Sequence, residues 1–125
     1  MKTILLVTLR QPVAELLTQK LREVPGIQLI YEPDYAKFGK TVTSYRANTA
    51  LIEVQESGEY GPDYCLALCA QMRKQTPDCR VLLLCPEQDA TGVFRAVEAK
   101  RDGRIDDFLF YNATADYITS KLLVM

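Results

Sequence analysis

Glu53 is the residue whose position most invites chemistry. It closes an apolar, β-branched run, Ala50-Leu51-Ile52, and polar, turn-prone residues follow it. A carboxylate at the end of a buried strand is costly unless a partner holds it. Arg10, the Tyr111 hydroxyl and backbone N–H groups are the expected partners. The other reactive side chains are the four thiols of Cys65, Cys69, Cys79 and Cys85. Cys65 and Cys69 are spaced i, i+4 in a helical pattern, whereas Cys79 precedes a strand and Cys85 ends it. No Cys-x-x-Cys spacing occurs, and the chain has no histidine. That removes the usual zinc sets and the Ser-His and Cys-His pairs of nucleophilic catalysis. We therefore expect core thiols in a reducing compartment, with no catalytic group, no metal, no cofactor and no enzymatic activity.

The bulk properties narrow the classes further. The 125 residues are 48% hydrophobic and 25% charged, which suits one domain with a real core spanning 1–125 and argues against disorder. Fifteen basic and sixteen acidic residues leave a net charge of −1. No basic face is implied, so direct nucleic-acid binding is not expected. No apolar run approaches the roughly 18 residues of a membrane span. Met1-Lys2 leads into "TILLVT", too short for a signal peptide, and a cytoplasmic location without membrane contact is expected.

Strands and helices alternate along the chain. Residues 2–8 form a buried β-run. Pro12 suits the first position of a helix whose face is Val13, Leu16, Leu17, Leu21 and Val24, and Pro25-Gly26 stops it. Residues 27–32 are a second strand. Tyr35, Phe38, Val42 and Tyr45 have helical spacing over 34–46, although Gly39 and Thr41-Val42-Thr43 weaken that helix. A third strand, 49–54, and a loop lead to a helix beginning at Pro62, with Tyr64, Cys65, Leu68, Cys69 and Met72 inward. The fourth strand is 80–85. A helix follows over 90–101, with Val93, Phe94, Ala96 and Val97 as packing candidates. The fifth strand is 106–111. The last helix, 114–124, is capped by Thr114 or Asn112, with Tyr117, Ile118, Leu122 and Val124 inward. Such alternation predicts a parallel sheet covered on both faces through right-handed crossovers. The last helix reaches Met125 without a tail, which suits either a natural end or an output domain beyond it.

Five strand–helix units fit the flavodoxin-like α/β class, a doubly wound five-stranded parallel sheet of order 2-1-3-4-5. Within that class the chain resembles the CheY-like receiver domain of bacterial response regulators along nearly its whole length. "TALIEVQES" resembles the third strand, which in receivers ends in the phosphoryl-accepting aspartate. "LALCAQMRKQTPDCRVLLLC" resembles the next helix and the fourth strand. "RIDDFLFYNAT" resembles the Asp-Asp-aromatic entry to the fifth strand and is the most specific match.

The resemblance also implies a set of active residues, and this chain departs from it. Receivers place two acidic residues after the first strand to hold Mg²⁺; here Thr8 and Leu9 stand there. Glu53 stands at the acceptor position. Cys85 replaces the Ser or Thr that ends the fourth strand. Tyr111, followed by Asn112, replaces the lysine before a proline. Phosphoryl transfer to a carboxylate needs a cation to neutralise developing charge and a fixed donor for the oxygens. Each missing contact costs on the order of 10²-fold in rate. A degenerate pseudo-receiver that is not phosphorylated is the expectation, with Glu53 either a structural carboxylate or a fixed mimic of the phosphorylated state. Phe108 falls at the receiver's switch aromatic and is expected to pack statically.

The implied function is two-component-type signalling through protein–protein contact, with a protein partner or a second copy. Receivers commonly dimerise through the fourth helix, fifth strand and fifth helix. The candidate surface here is Lys100, Arg101, Arg104, Asp106, Asp107 and Tyr117, whose mixed charges suit a two-fold axis. A working phosphoacceptor with unusual residues is the alternative. A cysteine phosphocarrier of related fold would place its cysteine after the first strand, where "TLRQP" has none. Small-molecule binding at the same edge lacks the support of a glycine-rich phosphate loop.

Overall fold

The computed structural model describes residues 1–124. The elements run β1 (Lys2–Val7), α1 (Gln11–Arg22), β2 (Ile27–Glu32), a 3₁₀ turn (Tyr35–Lys37), α2 (Phe38–Tyr45), β3 (Thr49–Glu53), α3 (Pro62–Gln75), β4 (Arg80–Cys85), α4 (Ala90–Arg101), β5 (Asp107–Phe110) and α5 (Ala115–Leu123). All neighbouring strands pair in parallel, and the sheet order is β2-β1-β3-β4-β5, as expected for the flavodoxin-like class.

Alternation along each strand divides the core in two. Leu5, Val7, Ala50, Ile52, Val81 and Leu83 point to the side covered by α2, α3 and α4. Ile4, Leu6, Leu51, Leu82 and Leu84 point to the side covered by α1 and α5. Both faces of β1, β3 and β4 are therefore buried, which is why these strands read as continuous apolar runs. The register sets Val7 opposite Ile52, Ile52 opposite Leu83, and Glu53 opposite Leu84. The turn after β1 and the ends of β3, β4 and β5 thus meet at one edge of the sheet, the usual place for a ligand crevice in such folds.

Several helical faces differ from the sequence expectation. Residues 34–46 do not form one helix. The Asp34 side chain accepts a hydrogen bond from the Ala36 N–H at 3.0 Å and caps a 3₁₀ turn, and α2 starts only at Phe38. Tyr35, Phe38 and Val42 are buried as expected, but Tyr45 is exposed. On α4, Phe94 is 61% exposed and Val97 is also exposed. The buried residues there are Gly92, Ala96 and Ala99, so α4 lies close to the sheet through its smallest side chains. A Cβ on Gly92 would stand 2.6 Å from Asp89 Oδ2, the carboxylate that caps this helix. Leu16 of α1 is exposed. On α5, Tyr117 is outward while Ile118 and Leu122 face the core, and Val124, just past the helix, is exposed. Thr114, rather than Asn112, is the cap, its hydroxyl accepting from the Tyr117 N–H at 3.1 Å.

These two kinds of apolar residue should separate on mutation. Leu82→Ala, at a fully buried sheet position, is expected to cost about 2–5 kcal/mol. Phe94→Ala is expected to stay within about 0.5 kcal/mol of the parent. Urea denaturation of both variants checks the contrast, and a large loss at Phe94 would contradict the outward placement of that face.

Candidate functional site

The Glu53 side chain is fully buried at the carboxyl end of β3. Thr8, Gln55 and Arg10 hold its carboxylate. The Thr8 hydroxyl donates to Oε1 at 2.5 Å, and the Gln55 amide donates to the same oxygen at 2.9 Å. Arg10 Nε lies 2.8 Å from Oε2. That contact is an ion pair without a well-aligned N–H, so Oε2 has its charge balanced but accepts no hydrogen bond among the described residues. The Arg10 side chain is itself 52% exposed, and its guanidinium stacks over the Tyr111 ring at 4.2 Å.

Local sequence explains this assembly. β1 ends at Val7, and Thr8-Leu9-Arg10 turns the chain into α1, whose first positions include Pro12. Thr8 Oγ1 also accepts from the Arg10 N–H at 2.9 Å. One hydroxyl therefore links the turn that carries the cation to the carboxylate that the cation neutralises. Across the edge, the Tyr35 hydroxyl donates to the Glu53 carbonyl at 2.6 Å. The Tyr111 hydroxyl donates to the Val54 carbonyl. Tyr60 stacks flat on Tyr35 at 4.2 Å, which folds the loop after β3 back over it. Burial, reinforced by the charge of Glu53, pushes both the Tyr35 and Tyr111 phenols above their ordinary value. Both stay neutral donors.

Thr8, Glu53 and Tyr111 thus come together, as the sequence suggested, and Arg10 is the partner of Glu53. The Tyr111 hydroxyl donates to the Val54 carbonyl, and its side-chain interaction with the Glu53 carboxylate, expected from the sequence, helps raise the phenol. Leu9 points to solvent and contributes nothing to the cluster. Cys85 is buried, and burial together with the nearby charge of Asp89 pushes its thiol up to about 12. Sequence reasoning missed Thr8 and Gln55 as carboxylate donors and Tyr35 as a backbone donor. Thr8 falls at the strand edge that also carries Glu53, but residue type alone did not assign it this role.

Mg²⁺ is the ion that this fold family would imply at the edge. A magnesium site needs oxygen ligands, usually one or two carboxylates and waters. Glu53 is the only carboxylate of the cluster, its two oxygens are engaged by donors and a guanidinium, and no group of three or more metal-ligating side chains occurs among the described residues. These residues do not fit the ion.

Phe108 is half-buried against the core and meets Phe110 edge-on at 5.8 Å. The candidate contact surface is partly engaged within the chain. Asp107 pairs with Lys100 at 3.0 Å and with Lys121 at 3.4 Å, tying α4, β5 and α5 together. Burial opposes ionisation of Asp107, but hydrogen bonds from Lys100, the Phe108 N–H and Lys121 outweigh it and hold the carboxyl below its usual value. Asp106 takes Arg73 and the Val81 N–H, both at 2.7 Å. Arg101, Arg104 and Tyr117 remain outward.

No protein-family model matches the sequence. No curated protein matches it either. Solved structures match its fold. The signal receiver domain of a signal transduction histidine kinase from Syntrophus aciditrophicus has a TM-score of 0.77 at 22% identity, covering 98% of this chain and 87% of that one. The signal receiver domain of an HD domain-containing protein from Pseudomonas fluorescens Pf-5 has a TM-score of 0.76 at 21% identity, covering 97% and 83%. A response regulator from Burkholderia pseudomallei, solved with a phosphorylated aspartic acid, calcium ion and citrate, has a TM-score of 0.75 at 22% identity, covering 99% and 68%. The chain therefore has the receiver fold. No helix among the described residues is long and apolar enough to cross a membrane.

Two measurements follow from the site. Thr8→Val removes a donor to a buried carboxylate and the acceptor of the Arg10 N–H. It should lower the unfolding free energy by about 1.5–3 kcal/mol, read from chemical denaturation. A loss under about 0.5 kcal/mol would mean that the hydroxyl is not holding Glu53. Burial pushes the Cys69 and Cys85 thiols up to about 12 and Cys79 up to about 11, and raises Cys65 as well. The thiolate is the reactive form. A thiol-specific disulfide reagent at pH 8 should therefore label none of the four in the native chain and all of them after unfolding.

Proposed function

We propose that this chain is a phosphorylation-independent, receiver-like signalling module that acts through protein contact, first with a second copy of itself. The carrying observation is the state of Glu53. At the position where a receiver's acceptor carboxylate must meet a phosphoryl donor, this carboxylate is buried and neutralised by Arg10. It is further held by Thr8 and Gln55. An incoming phosphoryl anion would have to break these contacts and find another cation. Tyr111, where receivers carry a lysine, supplies none at neutral pH. Glu53 serves on this reading as an anchor of the edge rather than as an acceptor or a switch. Phosphoryl acceptance by Glu53 is the competing reading.

The contact surface comprises α4, β5 and α5. Asp107 links these elements through Lys100 and Lys121. Outward on it stand Phe94 and Val97, with Arg101 one turn further along the same helical face, and Tyr117 on α5. Exposed aromatic and arginine side chains are the types that anchor interfaces. A two-fold axis would bring the same patch together twice.

Incubation with Mg²⁺ and a small phosphodonor should leave the intact mass unchanged, and a phosphoryl adduct mapped to Glu53 would replace this reading with the acceptor one. Light scattering at rising concentration should report a dimer, with Phe94→Asp/Tyr117→Asp shifting it to monomer. A chain that stays monomeric at about 1 mM, where even weak pairs associate, would remove self-contact as the function.

A further inference from the structure

The two edge strands of the sheet are built differently. β5 is four residues long and opens with Asp107 between Lys100 and Lys121. Shortness and charge of this kind keep an edge from pairing with another chain. β2 has neither device. Its six residues hold no proline, glycine or lysine, carry one charge at the last position, and pair with β1 in unbroken register. The ladder shows which main-chain groups stay open. The Lys2 N–H donates to the Gly26 carbonyl, and the Asn48 N–H to the Thr3 carbonyl. Bonding alternates along a parallel pair. Gln28, Ile30 and Glu32 therefore turn their main chain to β1, and Ile27, Leu29 and Tyr31 turn theirs outward. None of these three bonds an outer partner among the described residues. An open row of this kind is a template for an added strand.

Two grooves run between this strand and α1. One, of about 180 Å³, sets Arg22 beside Ile27 and Leu29. The other, of about 360 Å³, sets Glu15 beside Tyr31. Arg22 and Glu15 are exposed, and neither makes an ion pair among the described residues. The side chains of Ile27, Leu29 and Tyr31 pack on this face and are only partly buried.

One arrangement answers both features. The outward residues are symmetric about Leu29. An antiparallel copy of β2 centred there sets Leu29 opposite Leu29, and Ile27 opposite Tyr31 on either side. In that register every outward N–H and C=O exchanges a bond. A two-fold axis normal to the sheet keeps both α1 helices on one face. It also carries Arg22, beside Ile27, to the second copy's Tyr31, where the second copy's Glu15 lies. Main chain and charge are thus matched by the same axis.

We propose that β2 pairs with β2 of a second copy, antiparallel about a two-fold axis at Leu29. This extends the self-contact reading without requiring the α4–β5–α5 pair. The strands β2 and β5 lie at opposite ends of the sheet, so dimers made through one end join into a row through the other. This contact is the weaker of the two, because its strand groups are solvated in the free chain and gain little net on pairing. Its dissociation constant is expected at about 1–10 mM.

Amide NMR of the isotopically labelled Phe94→Asp/Tyr117→Asp variant, aimed at removing the other contact, isolates this one. Between about 0.1 and 2 mM, the largest concentration-dependent shifts should fall on the amides of Ile27, Leu29 and Tyr31. Leu29→Pro removes an outward N–H and leaves the β1 ladder whole, so it should abolish the shifts at Ile27 and Tyr31. Arg22→Glu should weaken the pairing at least about threefold, and Arg22→Glu/Glu15→Arg should restore it. Should Leu29→Pro fail to fold, the charge swaps decide alone. The absence of concentration-dependent shifts at the three amides overturns the inference, whatever light scattering reports of the dimer. A double swap as weak as Arg22→Glu alone overturns it too. Shifts that appear only on adding an extended Thr-Val peptide would assign the edge to a foreign strand and overturn self-pairing.

Discussion

The edge of this protein is organised around one buried negative charge and the cation that balances it. A carboxylate with no solvent exposure is strongly destabilising alone, and removing a partner from such a pair typically costs several kcal/mol. Glu53 therefore dictates what surrounds it. It requires Arg10 at 2.8 Å, and Arg10 requires the turn after β1 to project inward over the sheet. Thr8 fixes that turn by accepting the Arg10 N–H while donating to Glu53. The path of the β1–α1 connection is thus set by a charge that belongs to β3.

The same edge is closed by neutral phenols. Tyr35 and Tyr111 reach it from opposite faces of the sheet and donate to consecutive carbonyls, those of Glu53 and Val54. These carbonyls lie where β3 ends and the ladder stops supplying partners, so side chains must satisfy them. Tyr60 stacked on Tyr35 and Arg10 stacked on Tyr111 then cover each phenol from outside.

The fold was legible because the sheet is buried on both faces. Ile4 to Val7, Ala50 to Ile52 and Val81 to Leu84 are apolar without interruption, and turn residues separate them from helices. Helical faces were less legible. On α4 the larger apolar residues Phe94 and Val97 suggested the inner side, but Ala96 and Ala99 occupy it because the helix approaches the strands closely. Size misleads when distance, not hydrophobicity, decides which face packs. At the site, Arg10 could be named as the partner of Glu53 because a buried acid requires one. Thr8 could not be assigned its role from type alone, since its position was notable chiefly for the carboxylate it lacks. Tyr111 also serves the Val54 carbonyl, because the strand end carries an unpaired carbonyl that sequence does not display.

The arrangement of charge separates this edge from the acceptor sites its fold brings to mind. A receiver carries its acids in the first turn and its ammonium group after the fifth strand. Here the first turn supplies the cation, Arg10, and the fifth strand ends in the uncharged Tyr111. Here one carboxylate is balanced by one cation that lies against the carboxylate itself. In a phosphoryl site the positive groups must stand off, leaving room for the oxygens they will bind. Here the guanidinium lies 2.8 Å from Glu53. An apolar residue of similar volume would be as stable or more so at such a position. The retained pair ties the turn after β1 to the end of β3, with Thr8 bonded to both partners.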